Sequence, residues 1–326
     1  MDRVRIGTLG AARITPMALV RPARRVDDVE IVAVAARDRS RAERFAAKHG
    51  IPRVLTAYDD LVADPDVDAV YIPLPNGLHA EWTLKAIEAG KHVLCEKPFT
   101  SNADQAREVA AAAKASDRVV MEAFHYRFHP LARRMRDIVE SGELGEVRHI
   151  ETAFCIPLPI PGDIRYRLDL AGGATMDVGC YAVNLLRYLA GSEPEVVDAR
   201  AALLRAGIDR AMTARFRFAD GRTGAMSCSL LSRRVARASA RVVGDRGEMR
   251  VFNPFGPQYL HRLRVRTPEG SRTERLTRQP TYLFQLQAFA AAVLAGADFE
   301  CTVDDAVANM EIVDAVYQAA GMEPRS

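Results

Sequence analysis

The chain has 326 residues, of which 48% are hydrophobic, so it can bury a large core, and its length favours two domains. Its 45 basic and 42 acidic residues leave a formal net charge of +3. This even balance predicts neither a nucleic acid nor a membrane surface as partner. A local cluster of Arg233, Arg234 and Arg237 is interpreted as a solvated edge.

The first residues and the cysteines favour a cytoplasmic protein. Charged residues interrupt the start of the sequence, and the apolar run Val4–Leu9 is too short for a signal-peptide core. The longest apolar stretch, around Ala288–Ala297, is well below the ~20 residues that a membrane helix needs. The cysteines are odd in number and form no C-x-x-C pair, which is typical of free thiols in a reducing compartment.

Strand and helix patterns alternate through the first third of the sequence. Short apolar runs predict strands at Val4–Leu9, Glu30–Ala36, Val54–Leu55, Ala69–Ile72, His92–Cys95 and Val119–Ala123. Helices are predicted from Thr15 or Pro16, from an N-cap at Ser40 to His49, over His79–Ala89 and over Asn102–Ala115. This alternation predicts β–α–β crossovers and a buried, doubly wound parallel sheet over residues 1–124.

The pattern changes after about Phe124. Helices are predicted over Pro130–Glu140, Thr175–Leu189, Tyr282–Ala295 and Asp304–Ala320. Strands are predicted over Val147–Phe154, Val196–Leu204, Ala211–Phe218, Thr223–Leu230, Arg237–Val243, Glu248–Phe252 and Leu260–Arg266. Residues 125–326 are therefore predicted to form an α+β domain with a large, mostly antiparallel open sheet. Helices cover one face of that sheet, and the other face is solvated or packs on a partner.

The turn after the first strand is a candidate dinucleotide site. The run Gly10-Ala11-Ala12-Arg13-Ile14-Thr15 follows a strand and opens a helix, which is the context of the glycine-rich fingerprint. Gly10 matches the first glycine, whereas Ala12 and Thr15 stand at the other two positions. The helix N-terminus offers N–H groups to the phosphates. An ordinary strand–helix turn is the alternative.

The end of the second strand predicts the type of cofactor. An acidic residue there accepts a hydrogen bond from the ribose of NAD, but this strand ends in Ala35-Ala36-Arg37. A guanidinium at Arg37 suits a 2′-phosphate, and Arg39 and Arg41 could contribute. Asp38 comes one residue too late. The sequence therefore favours NADP(H), with NAD(H) left open, unless Arg37 is an ordinary surface arginine.

Two polar segments end the fourth and fifth strands, where ligands of parallel sheets bind. The residues of interest are Leu74, Asn76 and His79 in the first segment and Glu96 and Lys97 in the second. A lysine beside a carboxylate and a cofactor could donate a proton to the reacting oxygen or polarise it. The alternative is a surface Glu-Lys pair.

Together with a third motif, these segments resemble a known family. The chain resembles the glucose–fructose oxidoreductase / inositol dehydrogenase / MocA (Gfo/Idh/MocA) family, in particular its branch of NADP-dependent xylose dehydrogenases and dimeric dihydrodiol dehydrogenases. The matching motifs are Gly10-Ala11-Ala12-Arg13-Ile14, the Pro-Asn-x-Leu-His run ending at His79, Glu96-Lys97-Pro98, and Gly172-Gly173-Ala174-x-x-Asp177-x-Gly179-x-Tyr181. They span most of the first 190 residues in the family's order.

The resemblance implies a Rossmann domain followed by a substrate-binding and dimerisation domain. It implies that Lys97 is the catalytic lysine and that Asn76, His79 and Glu96 line the nicotinamide side of the cofactor pocket. It also implies a cis Lys97–Pro98 peptide bond. The open sheet would pair with another subunit, as a homodimer or a dimer of dimers.

Many family members carry histidine where Tyr181 stands. The dihydrodiol and keto-sugar reductase branches carry tyrosine there, and this chain resembles them. Asp177 lies four residues earlier and would share a helix face with it. A tyrosine has a reference pKa of about 10, and the ammonium of Lys97 would lower it. The hypothesis is that Tyr181 exchanges the proton with the substrate oxygen while Lys97 and Asp177 tune and orient it. Core packing of Tyr181 is the alternative.

The substrate side is defined by fewer residues. Arg127 and Arg165 could contact hydroxyls or a carboxylate, although such arginines are more often structural. No Cys/His/Asp spacing indicates a metal site. The sequence predicts an enzyme that transfers a hydride between NADP(H) and a C–OH or C=O group of a sugar, polyol or cyclic diol. A reductase of nucleotide-linked keto-sugars and a non-catalytic NADP-binding sensor are the alternatives.

Overall fold

The computed structural model describes residues 2–160, 162–232 and 237–326. Arg233 and Arg234 of the predicted arginine cluster lie outside these ranges. The strands are β1 (Val4–Leu9), β2 (Val29–Ala35), β3 (Arg53–Leu55), β4 (Ala69–Ile72), β5 (His92–Cys95), β6 (Val120–Glu122), β7 (Val147–Cys155), β8 (Glu195–Arg205), β9 (Ile208–Arg217), β10 (Thr223–Ser229), β11 (Arg237–Gly244), β12 (Glu248–Phe252), β13 (Arg262–Thr267) and β14 (Gly270–Glu274). The helices are α1 (Arg21–Ala23), α2 (Arg39–His49), α3 (Tyr58–Ala63), α4 (His79–Glu88), α5 (Ala103–Lys114), α6 (Pro130–Glu140), α7 (Cys180–Ala190), α8 (Thr281–Ala295) and α9 (Val303–Ala319).

The chain folds into two compact units. The first contains Met1–Thr100, Asp104–Phe128 and Pro280–Val307, and the second contains Ser101–Ala103, His129–Gln279 and Ala308–Ser326. The domain boundary between residues 124 and 125 stays a prediction, and these units differ from it chiefly at α8. That helix belongs to the first unit because it packs on the 3-10 turn His125–Phe128 and on β1.

The first unit contains a six-stranded parallel sheet in the order β3-β2-β1-β4-β5-β6. All residues of β4, β5 and β6 are buried, as expected for strands that helices cover on both faces. The strand order reverses between β1 and β4, so the carboxyl ends of these two strands flank the crevice where such sheets bind ligands. The predicted doubly wound sheet is confirmed.

Two helix starts in this unit differ from the prediction. The helix expected after Gly10 is a π-helical turn over Pro16–Val20 that continues into α1. Helix α2 is capped by Asp38 rather than by Ser40, because the Asp38 carboxylate accepts from the N–H of Arg41 at 3.0 Å and from the Ser40 hydroxyl at 2.9 Å. Asp and Ser are about equally good N-caps, so composition alone could not choose between them.

The second unit contains an eight-stranded sheet in the order β14-β13-β12-β11-β7-β10-β9-β8. Its strand pairs are antiparallel except for β7 and β10, which confirms the mostly antiparallel open sheet. Helix α7 packs on β7 and β10. Buried and exposed residues alternate along β12 and β13, so their second face is open in this chain.

None of the five cysteines, all of which lie in the described ranges, forms a disulfide. Among the helices of the described ranges, none combines the length and the apolar character required to cross a bilayer.

Candidate active site

Gly10 ends β1 in a backbone conformation that favours glycine. Its φ is +91°, and its N–H donates to the carbonyl of Ala35 at 2.6 Å. A Cβ on Gly10 would lie 3.5 Å from both Leu74 Cδ2 and the Tyr58 hydroxyl. The structure therefore brings together two predicted residues, Gly10 and Leu74. It adds Tyr58, which no pattern in the sequence indicated.

The residues after Gly10 differ in their exposure to solvent. Arg13 is exposed, Ala12 and Ile14 are half-buried, and the Ile14 carbonyl accepts from two N–H groups of the π-helical turn at 2.9 Å each. The guanidinium of Arg41 donates to the Ala11 carbonyl at 2.7 Å. Arg41 thus ties the start of α2 to the turn that was predicted to bind phosphates.

Arg37 is exposed at the carboxyl end of β2 and hydrogen-bonds Tyr58. Burial raises the pKa of Tyr58, and the charge of Arg37 opposes that shift. The pKa of Asp38 is lowered, first by the hydrogen bond from the Arg41 N–H, because its carboxylate caps α2. The nearest acid is therefore engaged by the helix, and Arg39 pairs with Glu43 at 2.8 Å. The groups near Gly10 are therefore the phenol of Tyr58 and the guanidinium of Arg37 bonded to it. This pair suits a 2′-phosphate better than a ribose hydroxyl.

His79 joins the two polar segments of the first unit. Its Nδ1 lies 2.7 Å from the carbonyl of Pro98 and its Nε2 lies 2.8 Å from the carbonyl of Leu74. The ring is 1% exposed, and burial lowers the pKa of His79 although both carbonyl contacts favour the protonated form. The positive charge of Lys97 lowers this pKa further, so the ammonium lies near the imidazole. Asn76 begins the 3-10 turn before His79 and its carbonyl accepts the His79 N–H.

Glu96 and Lys97 follow β5 directly. The buried Tyr71 hydroxyl donates to Oε1 of Glu96 at 2.7 Å. Lys97 is half-buried, and the Lys97–Pro98 peptide bond is cis, as the resemblance implied. Within the first unit, the structure therefore places Lys97 between a carboxylate held by Tyr71 and a proline carbonyl held by His79.

Arg127, which the sequence offered as a substrate contact or as a structural arginine, pairs with two carboxylates within the first unit. Its guanidinium lies 3.2 Å from Glu300 and 3.3 Å from Asp305, and the side chain is 6% exposed. Burial with two carboxylate partners is the structural alternative that the sequence had left open.

In the second unit, Asp177 and Arg165 form an ion pair. Arg165 Nε lies 3.0 Å from Asp177 Oδ2, and its Nη1 lies 3.1 Å from Asp163 Oδ1. The pKa of Arg165 is raised, chiefly by Asp177. Two residues predicted from separate motifs are therefore in direct contact. Asp177 sits in a π-helical turn over Thr175–Gly179 rather than in the expected continuous α-helix.

Tyr181 is buried at the start of α7 and packs edge-on against two aromatic rings. The ring centroids of Phe154 and Phe255 lie 5.4 Å and 5.5 Å from that of Tyr181, and the two phenylalanines stack at 4.6 Å. Neither phenylalanine was predicted, because Phe255 lies in a loop after β12 and nothing in its sequence context links it to Tyr181. The pair fixes the direction of the tyrosine ring.

Family models match both halves of the chain. A model described as the oxidoreductase family with an NAD-binding Rossmann fold (Gfo/Idh/MocA) matches residues 4–124. A model of the Gfo/Idh/MocA C-terminal domain matches residues 132–250. The two matches cover well over half of the sequence and both belong to the same family.

Known relatives span nearly the whole chain. The D-xylose 1-dehydrogenase (NADP(+)) 2 of Haloferax volcanii is 36% identical over 96% of this chain and 96% of its own. The trans-1,2-dihydrobenzene-1,2-diol dehydrogenase of Xenopus laevis is 35% identical over 63% of this chain and 62% of its own. The crystal structure of KijD10, a 3-ketoreductase from Actinomadura kijaniata in complex with NADP and TDP-benzene, superposes with a TM-score of 0.91 at 30% identity, covering 98% of each chain.

These matches agree with the structure, in which the first unit has the Rossmann strand order and the second unit has an open sheet. The chain belongs to the Gfo/Idh/MocA family of NAD(P)-dependent oxidoreductases.

Proposed function

We propose that this protein is an NADP(H)-dependent oxidoreductase that transfers a hydride between the nicotinamide and a C–OH or C=O group of a sugar, polyol or cyclic diol. The observation that carries this proposal is the setting of Lys97. Lys97 lies at the carboxyl end of β5, between Glu96 and Pro98 in the sequence. The Glu96 carboxylate accepts a hydrogen bond from Tyr71, and the Pro98 carbonyl contacts His79. A lysine in such a setting suits proton transfer or charge stabilisation at a reacting oxygen.

The first unit supplies the proposed cofactor residues. The turn at Gly10, Ala12, Arg13 and Ile14 would hold the pyrophosphate, and Arg37 would pair with the 2′-phosphate. Leu74, Asn76, His79 and Glu96 would line the nicotinamide side. When bound, the nicotinamide supplies the hydride chemistry. Two of the relatives carry NADP in their names or bound in the crystal, which supports the assignment from Arg37.

Two side chains are proposed to handle the proton and the charge at the substrate oxygen. We propose that Tyr181 exchanges a proton with the substrate oxygen and that Lys97 stabilises the negative charge that develops on it. The ring of Tyr181 is held by Phe154 and Phe255. We propose that the Asp177 carboxylate orients Tyr181. Its Oδ2 is in turn held by Arg165 Nε at 3.0 Å. Arg165 itself is the proposed substrate contact, and Arg127 is the weaker one because two carboxylates already engage it.

A second candidate is the reduction of a keto group on a nucleotide-linked sugar. The similarity to a 3-ketoreductase crystallised with NADP and TDP-benzene supports it. The two candidates share the proposed proton residues and differ in direction and substrate size. The non-catalytic sensor receives no support from any of these relatives. For the assembly, we propose a homodimer or a dimer of dimers through the open face of the second sheet, and free cysteines support a cytoplasmic location.

The test is a substrate panel with matched variants. NADP+ reduction is measured with aldoses, polyols and cyclic diols, and NADPH oxidation is measured with nucleotide-linked keto-sugars, with NAD(H) as comparison. Lys97→Ala and Tyr181→Phe are expected to lose turnover while they still bind NADPH. Lys114→Ala and Tyr259→Phe alter an exposed lysine and an exposed tyrosine and serve as controls.

The pattern of turnover decides between the candidates. Oxidation of a free sugar or diol supports the first, and turnover only with keto-sugar nucleotides supports the second. Full turnover in Tyr181→Phe would remove the proposed acid from the mechanism. Tight NADPH binding without turnover of any substrate would contradict both enzyme candidates.

A further inference from the structure

A buried ion pair lies against the glycine turn of the third motif. Asp209 on β9 is fully buried, and Arg325, in the segment after α9, is 4% exposed. Arg325 Nη2 donates to Asp209 Oδ1 at 2.8 Å, and the Tyr317 hydroxyl donates to the same oxygen at 3.0 Å. The guanidinium also stacks over the Tyr317 ring, 4.1 Å from its centroid. Pairing reduces the cost of burying both charges.

The same two side chains hold the backbone on both sides of Gly173. Arg325 Nε donates to the carbonyl of Gly172 at 2.9 Å. Asp209 Oδ2 accepts from both the backbone N–H and the hydroxyl of Thr175, each at 2.7 Å. The hydrogen bonds of one guanidinium and one carboxylate therefore span the turn from residue 172 to residue 175.

Gly173 is fitted closely into this arrangement. Its φ is +133°, and a Cβ at this position would lie 2.1 Å from Asp209 Oδ1 and 2.9 Å from Arg325 Nη2. The Gly173 carbonyl accepts from the Asp177 N–H at 3.1 Å, and the Gly173 N–H donates to the Arg165 carbonyl at 2.8 Å. The turn is thus bonded to the backbone of both members of the Arg165–Asp177 ion pair.

We propose that Arg325 and Asp209 are positioning residues for the reaction. They fix the turn at residues 172–175, which sets the backbone of Asp177 and the start of the helix that carries Tyr181. This inference rests on the proposed roles of Asp177 and Tyr181. A guanidinium presents its donors in fixed directions, so Arg325 can hold the Gly172 carbonyl and the Asp209 carboxylate in one geometry.

Stability alone does not explain an arginine at position 325. Well-packed apolar residues often replace a buried ion pair at no cost in stability, whereas they cannot hold two oxygens of different segments in register. Proton transfer depends on the exact position of the reacting groups, because a displacement of about 1 Å can cost about 100-fold in rate. The positioning role therefore predicts a loss of rate beyond any loss of folded protein.

The variants are Arg325→Gln, Arg325→Lys and, as control, Arg222→Gln. Arg222 is a partly buried arginine of the same unit that pairs with Asp220 and donates to the Ala190 carbonyl, so it matches Arg325 in chemistry without reaching the turn. For each variant kcat, KM, the pH profile of kcat, NADPH affinity and the fraction of folded protein are measured. Each rate is divided by the amount of folded protein.

We expect kcat of Arg325→Gln to fall about 100-fold, with an altered pH profile and unchanged NADPH affinity. Arg325→Lys is expected to recover part of the loss, because an ammonium lacks the fixed fork of the guanidinium. Arg222→Gln is expected to keep the wild-type kcat and pH profile. A lower melting temperature in Arg325→Gln with unchanged kcat and pH profile would overturn the proposal.

A readout that needs no turnover separates this inference from the proposed function. 3-Fluorotyrosine is placed at position 181 and its ¹⁹F resonance is recorded in wild type and variants. A resonance that moves in the Arg325 variants, but not in Arg222→Gln, supports the positioning role even if wild type turns over no substrate of the panel. An unchanged resonance in folded Arg325→Gln overturns it. If Arg325→Gln does not fold, the same comparison is decided on Arg325→Lys.

Discussion

The phenolic hydroxyl of Tyr71 donates a 2.7 Å hydrogen bond to Oε1 of Glu96 inside the first unit, and both residues are buried. Tyr71 lies on β4 and Glu96 follows the neighbouring strand β5, so the bond joins the two strand ends that carry the polar segments. A donor on a buried carboxylate offsets part of its desolvation cost. Because Glu96 directly precedes Lys97, the bond also fixes the backbone from which the proposed catalytic lysine projects.

Replacing Tyr71 by phenylalanine keeps the ring and removes this donor. The free energy of unfolding of Tyr71→Phe is expected to fall by about 1–3 kcal/mol, the cost of removing one hydrogen-bond donor from a buried carboxylate. Urea denaturation measures the change, and Tyr259→Phe, at a ring that is 67% exposed, is the control. Equal unfolding midpoints for the two variants would show that the bond adds nothing to stability.

Arg37 should decide between the two nicotinamide cofactors. Hydrogen bonds to charged groups are worth about 1.5–3 kcal/mol, so Arg37→Ser is expected to weaken NADPH binding about 10- to 100-fold. NADH has no 2′-phosphate, and its affinity should stay the same. Cofactor fluorescence titration measures both constants. The control is Arg44→Ser on α2, whose guanidinium contacts the Ser40 hydroxyl. An equal loss for both cofactors would contradict the assignment.

We expect His129 to make the stability of the second unit sensitive to acid. Its Nδ1 accepts the Leu131 N–H at 3.0 Å at the start of α6, and its ring lies 6.3 Å from that of His261. Burial, followed by the charge of His261, lowers the pKa of His129 from 6.5 to about 4. The unfolded chain therefore binds a proton between these two values when the folded chain does not, so stability falls as the pH drops from 6.5 towards 4.

The expected loss from this histidine is about 3 kcal/mol over that range. His129→Asn removes the titrating ring and keeps an acceptor for the Leu131 N–H, since asparagine is a good N-cap. Unfolding free energies measured at several pH values should decline less steeply for His129→Asn than for wild type. His149→Asn is the control, because its side chain contacts Thr223 at the surface. Parallel pH curves for wild type and His129→Asn would exclude the effect.

Gly179 packs closely against β10 because it has no side chain. A Cβ at this position would lie 3.0 Å from Cys228 Sγ and 3.3 Å from Thr175 Cγ2. Overpacking of this kind costs about 1–3 kcal/mol, so Gly179→Ala should be destabilised by that amount. Cys228→Ala removes the sulfur, and the double variant should recover part of the loss. A double-mutant cycle with no coupling would show that the contact with Cys228 is not the cause.

The strands were predictable because each needs a buried apolar face. Runs such as Ala69–Ile72 and His92–Cys95 agree with the structure at both ends. Strand β14 was missed because Gly270–Glu274 is an exposed polar strand at the sheet edge, where no apolar period is required. The π-helical turns at Pro16–Val20 and Thr175–Gly179 were expected as α-helix, since both carry the same apolar spacing over one turn.

Motifs of the candidate site were visible in the sequence, but their partners were not. The pairs Tyr71–Glu96, Arg165–Asp177 and Asp209–Arg325 join residues that are between 12 and 116 positions apart. No periodicity marks such pairs, because each is set by the tertiary fold rather than by local sequence spacing. The same holds for Arg127, because its partners Glu300 and Asp305 lie near the far end of the sequence.

The return of α8 to the first unit has a consequence for how this protein can be cut and recombined. The chain passes from the first unit to the second, back to the first at Pro280–Val307 and again to the second. A fragment that stops at Phe128 would lack α8 and would leave uncovered the apolar side of His125–Phe128, where His125 stacks on Tyr282 at 4.1 Å.

A chimera that exchanges the two long segments of the second unit, His129–Gln279 and Ala308–Ser326, must therefore use three splice sites and keep residues 280–307 with the parent that supplies the Rossmann sheet. Exchange at one site would pair a helix from one parent with a sheet from the other. A single crossover between two relatives therefore cannot exchange the second unit as a whole.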